Sequence, residues 1–241
     1  MDDVSRRKAL QVAGLGALSW PFASAGAAAG ASSDEEGSSG SEGKSAYIGE
    51  VTGRGGSEMN TMTADNLRSA FGGESMAHMR YRIWGDKAKE DGFDNISRLF
   101  TAIAAAEKVH ATNHFIALRE QVGDALVPSM GGFGYTETTE NLQGAINGEV
   151  YESTEMYPSF LEVAKMQDQP SAQQSFYYAL EAEKIHAEMY REAKEAAKAG
   201  NDLDLGPVQI CTQCGYTVED DSPPTMCPIC AAGSDEFKAF E

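Results

Sequence analysis

The sequence predicts a mainly α protein, a four-helix bundle followed by a small cysteine-stapled unit, and three observations predict it. Ile96, Phe100 and Ile103 recur at helical spacing, and the same stripe runs on to Glu107, His110 and His114. Glu107-Lys-Val-His110-Ala returns almost letter for letter as Glu183-Lys184-Ile185-His186-Ala187. Asn66-Leu67-x-x-Ala70-Phe71-x-Gly73-Glu74 returns as Asn141-Leu142-x-x-Ala145-Ile146-x-Gly148-Glu149, so a helical hairpin is present twice. Finally, all four cysteines gather near the C-terminus as two Cys-x-x-Cys pairs.

The repeat carries chemistry. Ionisable groups on a buried helix face cost several kcal/mol unless they are paired or bound to metal. Glu-x-x-His on one face is the arrangement that di-metal four-helix bundles use. Each copy brings one lone Glu and one Glu-x-x-His, giving Glu74, Glu107, His110, Glu149, Glu183 and His186. That is the ligand inventory of a carboxylate-bridged di-iron or di-manganese bundle. Glu152 breaks the symmetry: it follows Glu149 by one turn on the same face, whereas its match in the first copy is Ala77. Two metals held here are expected to be inequivalent.

At 241 residues the chain can hold one sizeable core and an appendage, with a formal charge of -18 from 37 acidic and 19 basic residues. Such a balance argues against nucleic acid and anionic membrane as partners, which both demand clustered Lys and Arg. Residues 1-29 read as an export signal. Ser5-Arg6-Arg7-Lys8-Ala9-Leu10 is similar to the twin-arginine motif, and a Gly-broken apolar run follows, with a small-residue cleavage candidate at Ala23-Ser24-Ala25. A periplasmic or otherwise extracytoplasmic location is the expectation, with no membrane association beyond export. Residues 30-62, rich in Gly and Ser at first, read as a flexible linker and an irregular segment.

The bundle is expected over 63-200. Its first helix starts near the N-cap candidate Thr63 and ends at Asp91-Gly92; Gly72-Gly73 inside it implies a close backbone approach. The second spans roughly Asp94 to Gln121, and the third begins around Thr138 to Asn141 and ends near Gln167. The fourth follows Pro170 and reaches about Ala199. Between the second and third, the Gly-rich stretch Asp124 to Tyr135 is long enough to be a crossover along the bundle. The core of this bundle is expected to be independent of the tail.

The tail, 206-241, holds Cys211-Thr-Gln-Cys214 and Cys227-Pro228-Ile-Cys230, two knuckles that can meet in one tetrahedral S4 site. So few residues cannot stabilise themselves by burial alone, so a metal is expected at the centre with Tyr216, Phe237 and Phe240 around it. Four cysteines alone leave iron and zinc both open.

Taken together, Gly73-Glu74-Ser75, Glu107-x-x-His110, Gly148-Glu149-x-Tyr151-Glu152, Glu155-Met-Tyr157-Pro158, Glu183-x-x-His186, Cys211-x-x-Cys214-Gly-Tyr and Cys227-Pro-x-Cys230 resemble the rubrerythrin family. The resemblance implies a ferritin-like four-helix bundle with two non-haem irons, and a rubredoxin-like domain with one iron on Cys211, Cys214, Cys227 and Cys230. It implies an oxidoreductase that reduces hydrogen peroxide, fed by an electron-donor protein, and a homodimer with one subunit's rubredoxin centre near the other's di-iron site. Within that reading Glu152 is a movable ligand that exchanges with His110, and Tyr81 and Tyr157 are similar to the family's tyrosines that hydrogen-bond ligand carboxylates and can deliver protons. His78 and His114 are expected to support the site or the core without ligating. The alternative is a ferroxidase or iron-handling protein without peroxide turnover, against which the rubredoxin-like tail speaks.

Overall fold

The computed structural model of the chain describes residues 59–127 and 129–241. The export signal and most of the linker read from the sequence lie outside the described residues. Helix α1, Thr61–Glu90, and α2, Asp94–Ala117, form the first hairpin; Asp91 and Gly92, the latter at φ 89°, make the turn. The N-cap of α1 is Asn60, whose side chain accepts from Met62 N, rather than Thr63. Thr63 lies one turn inside, with its amide and hydroxyl both bound to Gln167 Oε1.

The second hairpin contains α3 (Thr138–Tyr151), a π-helical turn (Glu152–Met156), α4 (Tyr157–Met166) and α5 (Pro170–Lys198). The helix expected to end near Gln167 is widened by one residue in the middle. Local chemistry accounts for the place. Pro158 has no N–H to donate into the helix, and the Tyr157 amide reaches five residues back to Glu152 O. Hydroxyls bind carbonyls around the turn: Ser153 Oγ donates to Glu149 O and Thr154 Oγ1 to Val150 O, each at 2.6 Å. A signal for the extra residue stood in the sequence. The repeat offset is one residue larger between Tyr81 and Tyr157 than between Glu74 and Glu149.

Two apolar clusters fill the bundle on either side of a polar layer. One holds Tyr81, Trp84, Phe100, Ile103, Leu142 and Tyr190; the other holds Leu67, Leu118, Tyr157, Phe176 and Leu180. On α1, α2, α3 and α5 the buried glutamates, with His110 and His186, fall between the two. The crossover returns over α1 at the double glycine, where a Cβ on Gly72 would stand 2.6 Å from Val127 Cγ1. Only glycine admits that approach.

The tail forms a three-stranded antiparallel sheet, order β2-β1-β3, from β1 (Val208–Cys211), β2 (Thr217–Glu219) and β3 (Phe237–Phe240). Register pairs Gln209 with Val218 on one side and with Ala239 on the other. The bundle core is not independent of it: Leu205, Val208 and Ile210 are buried members of the Tyr81–Phe100 cluster. Phe240 packs on that cluster too, and not around the cysteines, because β3 turns it toward α2; Tyr216 and Phe237 do surround the cysteines, edge to face at 6.3 Å.

Candidate metal centres and their connection

The polar layer brings together every carboxylate and imidazole that the repeat singled out. Glu74, Glu107, Glu149, Glu183 and His186 have no exposure and His110 has 1%. One group of ligand atoms within 4.8 Å of one another comes from Glu74, Glu107, His110 and Glu183, and a second from Glu107, Glu149, Glu183 and His186. Glu107 and Glu183 belong to both, which suits them to bridge two ions, while Glu74 with His110 and Glu149 with His186 each serve one. His110 Nδ1 lies 3.0 Å from Glu107 and 2.8 Å from Glu183; His186 Nδ1 lies 2.7 Å from Glu183 and 3.3 Å from Glu107. Both rings thus turn Nδ1 inward and Nε2 outward.

Electrostatics call for cations at this place. Burial first, and then repulsion among the carboxylates, pushes Glu74, Glu152 and Glu183 well above the ordinary carboxylate range. Burial would raise Glu107 as well, but His186 and His110 outweigh it and hold it low. The same carboxylates lift His186 against its own burial. One oxygen of each of Glu74, Glu107, Glu149 and Glu183 is buried and accepts no hydrogen bond, although an imidazole nitrogen stands 2.8 Å from that of Glu183 and 3.3 Å from that of Glu107; buried lone pairs of this kind are costly unless a metal accepts them. Two divalent ions balance four of the five negative charges in the layer. The donor set of carboxylates and imidazoles, on four helices, fits a di-iron carboxylate centre.

Glu152 is buried yet lies outside both groups, its Oε1 close to the backbone of Gly73. The π turn aims it there, and its counterpart Ala77 is buried with no ligand to offer. Arg80 is the opposing charge that acts on it; the guanidinium lies over Tyr81 and Trp84 with Nε and Nη1 buried and without hydrogen bonds. Arg80 carried no signal in the sequence, since a basic residue on an amphipathic helix reads as surface.

Tyr81 OH donates to Glu149 Oε1 at 2.5 Å, and Tyr157 OH donates to Glu74 Oε1. Burial and then these carboxylates raise both phenols well above their usual range, so they remain protonated donors. Behind Tyr157, His114 ligates nothing: its Nε2 meets Tyr157 OH at 2.9 Å and its Nδ1 meets Ser175 Oγ at 2.7 Å. Burial pushes His114 down to about 3, leaving it neutral. Because the phenol's one hydrogen goes to Glu74, His114 Nε2–H must donate to Tyr157 and its Nδ1 must accept from Ser175. His78 bonds the Ala104 carbonyl and ties α1 to α2.

In the tail, Cys211 and Cys230 Sγ stand 3.6 Å apart and Cys214 and Cys227 Sγ 3.5 Å apart, with all four thiols free. These separations are near the edge of a tetrahedron with metal–sulfur bonds of about 2.3 Å and far from a disulfide. The knuckle sits directly against the bundle of its own chain. Thr217 Oγ1 accepts from His186 Nε2 at 2.8 Å and donates to Gly215 O at 3.1 Å. A Cβ on Gly215, at φ 83°, would stand 2.1 Å from His110 Nε2. Nothing in the spacing of the sequence pointed to Gly215 or Thr217 as neighbours of the bundle histidines, because each contact joins the tail to a helix of the bundle, across 31 residues for Thr217 and His186.

Residues 65–194 match the rubrerythrin family. The chain belongs to the rubrerythrin family. Residues 209–238 match the rubredoxin-like domain of rubrerythrin. Rubrerythrin-2 of Clostridium acetobutylicum is 51% identical over 181 residues, covering 75% of this chain and 98% of that relative. Nigerythrin of Nitratidesulfovibrio vulgaris is 33% identical, covering 74% and 86%. Fully reduced, all-ferrous nigerythrin superposes with a TM-score of 0.66 at 32% identity, over 76% of this chain and 89% of that one. The fold is ferritin-like, and the rubrerythrin centres are a di-iron carboxylate–histidine site and a four-cysteine rubredoxin-like site.

Proposed function

We propose that this rubrerythrin is a non-haem di-iron peroxidase, reducing hydrogen peroxide to water in defence against oxidative stress, with electrons relayed through an iron in its four-cysteine site. The observation that carries the reading is the seating of the cysteine knuckle on both cage histidines, through Thr217 on His186 and Gly215 on His110. A protein that only stores or oxidises iron has no use for an electron carrier at that place.

Each peroxide takes up two electrons and two protons and yields two waters. Bound iron supplies the paired redox equivalents and the open coordination positions for the oxygen–oxygen bond. The residues of the chain do the rest. Tyr157 and Tyr81 hold protons at phenol oxygens pointed at Glu74 and Glu149, and Ser175 and His114 stand in line behind Tyr157 to return a proton to it. Glu152, buried and outside both ligand groups, is the carboxylate that would be available to replace His110 as a ligand of a bound iron. The apolar clusters on both sides exclude bulk water.

A donor protein for the tail, a homodimeric assembly, and export through the twin-arginine signal belong to the same reading. Replacing Arg6-Arg7 by Lys-Lys should keep the protein in the cytoplasm, and continued export would overturn the signal. For the reaction itself, reduced protein is mixed anaerobically with peroxide and the equivalents consumed are counted, with and without a recycling reductase. Catalytic consumption supports the peroxidase; iron oxidation that stops after one equivalent, with the reductase present, supports the ferroxidase alternative.

A further inference from the structure

The duplicated frame departs from its own symmetry twice in charge. Glu152 stands where the first copy has Ala77. Arg80, just before Tyr81, stands where the second copy has Met156, just before Tyr157 and buried in the Tyr157 cluster. The carboxylate and the guanidinium face one seam, between α1 and the end of α3. We propose that Arg80 is a positioning residue for Glu152: it receives the carboxylate when Glu152 is not a metal ligand, so that Glu152 has one seat at the cage and a second at the guanidinium. The proposal rests on the reading of Glu152 as a carboxylate that enters and leaves the cage, and adds where it goes.

Gly73 and Gly148, which match one another in the repeat, open that seam. A Cβ on Gly73 would stand 4.0 Å from Glu152 Oε1, and a Cβ on Gly148, one turn before Glu152, would stand 3.7 Å from Arg80 Nη2. Each charged side chain therefore lies against the glycine of the other hairpin, and neither glycine places a side chain between them. Direction favours the approach as well. Helical side chains lean toward the N-terminus of their helix, which carries Arg80 toward Gly73 and Glu152 toward Gly148. From the other side the crossover closes on the guanidinium: a Cβ on Gly131 would collide with Arg80 Nη1 and stand 2.6 Å from Met76 Cε.

The guanidinium is short of acceptors where it stands. It lies 5.5 Å from the Tyr81 ring centroid and 5.2 Å from that of Trp84, and its Nε and Nη1 are buried with no hydrogen bond among the described residues. Ring faces offset part of a cation's desolvation, but a charged N–H buried without an acceptor remains strongly unfavourable. Glu152 is the complementary case, a buried carboxylate crowded by Glu149, Glu183 and Glu107 and opposed by Arg80. Seating it on the guanidinium makes charge-assisted N–H···O bonds in place of one iron–oxygen bond. No proton is gained or lost, since the carboxylate is anionic in both seats. An anionic ligand favours the ferric ion over the ferrous, so the cage seat goes with the oxidised centre and the Arg80 seat with the reduced one.

The test reads the reduction potential of the cage in the full iron-loaded chain, with no peroxide present. Arg80→Met removes the reduced-state seat and should shift the equilibrium toward the oxidised form by about tenfold, a fall of about 59 mV in a one-electron step. In the Glu152→Ala background most of that shift should vanish, because the seat has lost its occupant. Arg80→Lys keeps the charge and loses the planar fork, so the potential should still fall part of the way. Gly131→Ala, which displaces the guanidinium without deleting it, should lower the potential only where Glu152 is present, and it decides the matter if Arg80→Met does not load iron. Equal shifts with and without Glu152 would show a charge acting on the irons directly and would overturn the proposal. So would an unchanged potential in the iron-loaded Arg80 and Gly131 variants while Glu152→Ala shifts it. A Glu152→Ala potential equal to wild type takes Glu152 out of the cage altogether, and the proposal falls with that reading. Failure of the intact protein to turn over peroxide, which this measurement does not use, removes the peroxidase reading alone.

Discussion

Tyr157 is a phenol whose removal the structure prices most fully. In Tyr157→Phe the ring still fills its place between His114 and Phe176, so no cavity opens, and only the oxygen is lost. Two buried groups then lack a partner, Glu74 Oε1 and His114 Nε2–H, the latter in a side chain with no exposure. At about 1 to 3 kcal/mol for each stranded group, the loss is about 2 to 6 kcal/mol. At roughly 2 to 4 °C per kcal/mol for a chain of this length, Tm should fall by about 4 to 24 °C. Tyr81→Phe breaks one such bond, to Glu149, and should lose about half as much. Thermal unfolding of iron-loaded wild type and both variants, with iron content measured beside it, gives the comparison; two irons should remain in the cage in each, since no ligand is removed. A Tyr157→Phe Tm within about 1 °C of wild type, or a larger drop in Tyr81→Phe, would show that the Ser175–His114–Tyr157–Glu74 line is not formed as described.

Other expectations follow from the same geometry. Glu152→Ala should retain both cage metals, because Glu152 lies outside the two ligand groups, and slow peroxide turnover by about tenfold or more; Glu107→Ala, which removes a member of both groups, should lower cage occupancy in metal analysis. Metal-free protein should lose stability as pH rises. Glu74, Glu152 and Glu183 are raised on folding, so their contribution is complete below the unfolded carboxylate pKa and fades as pH climbs through their higher folded values; His186, also raised, adds the same sign, and Glu107, lowered, acts oppositely only on the acid side of about pH 4.5. Melting curves of metal-free and iron-loaded protein from about pH 5 upward should therefore diverge, and parallel curves would contradict the assigned burial. Arg98→Ala should loosen the tail by about 1 to 3 kcal/mol, read as faster amide exchange across 203–210 while exchange around Phe176 in the other cluster is unchanged.

Much of this was legible because the chain repeats itself. A helical period identifies a face, and a repeat of that face containing Glu-x-x-His leaves few alternatives to a two-metal cage, so the six symmetric candidate ligands and the four cysteines, which the fold does bring together, could be named from spacing alone. What escaped the sequence depends on contacts made at long range. Leu205, Val208 and Ile210 look like a linker end and a short strand, and only docking makes them part of the bundle core. Thr63 looks like a cap until Gln167 is found beside it. Arg98 looks like one more surface charge, because the carbonyls it binds belong to a segment more than a hundred residues away.

The π turn at Glu152–Met156 bears on how a duplicated protein acquires inequivalent halves. Two identical hairpins would build a cage with a two-fold relation between its ions, and a substitution at Ala77 or Glu152 alone changes one side chain without changing where the helix points. One added residue shifts the phase of everything after it. The widened turn takes up that shift within five residues, so Tyr157 and α4 return to the phase that Tyr81 holds in the first copy, and only the residues inside the turn keep a different direction. Asymmetry is thereby confined to the side of the cage where Glu152 stands, and the remainder of the duplicated frame keeps its original packing.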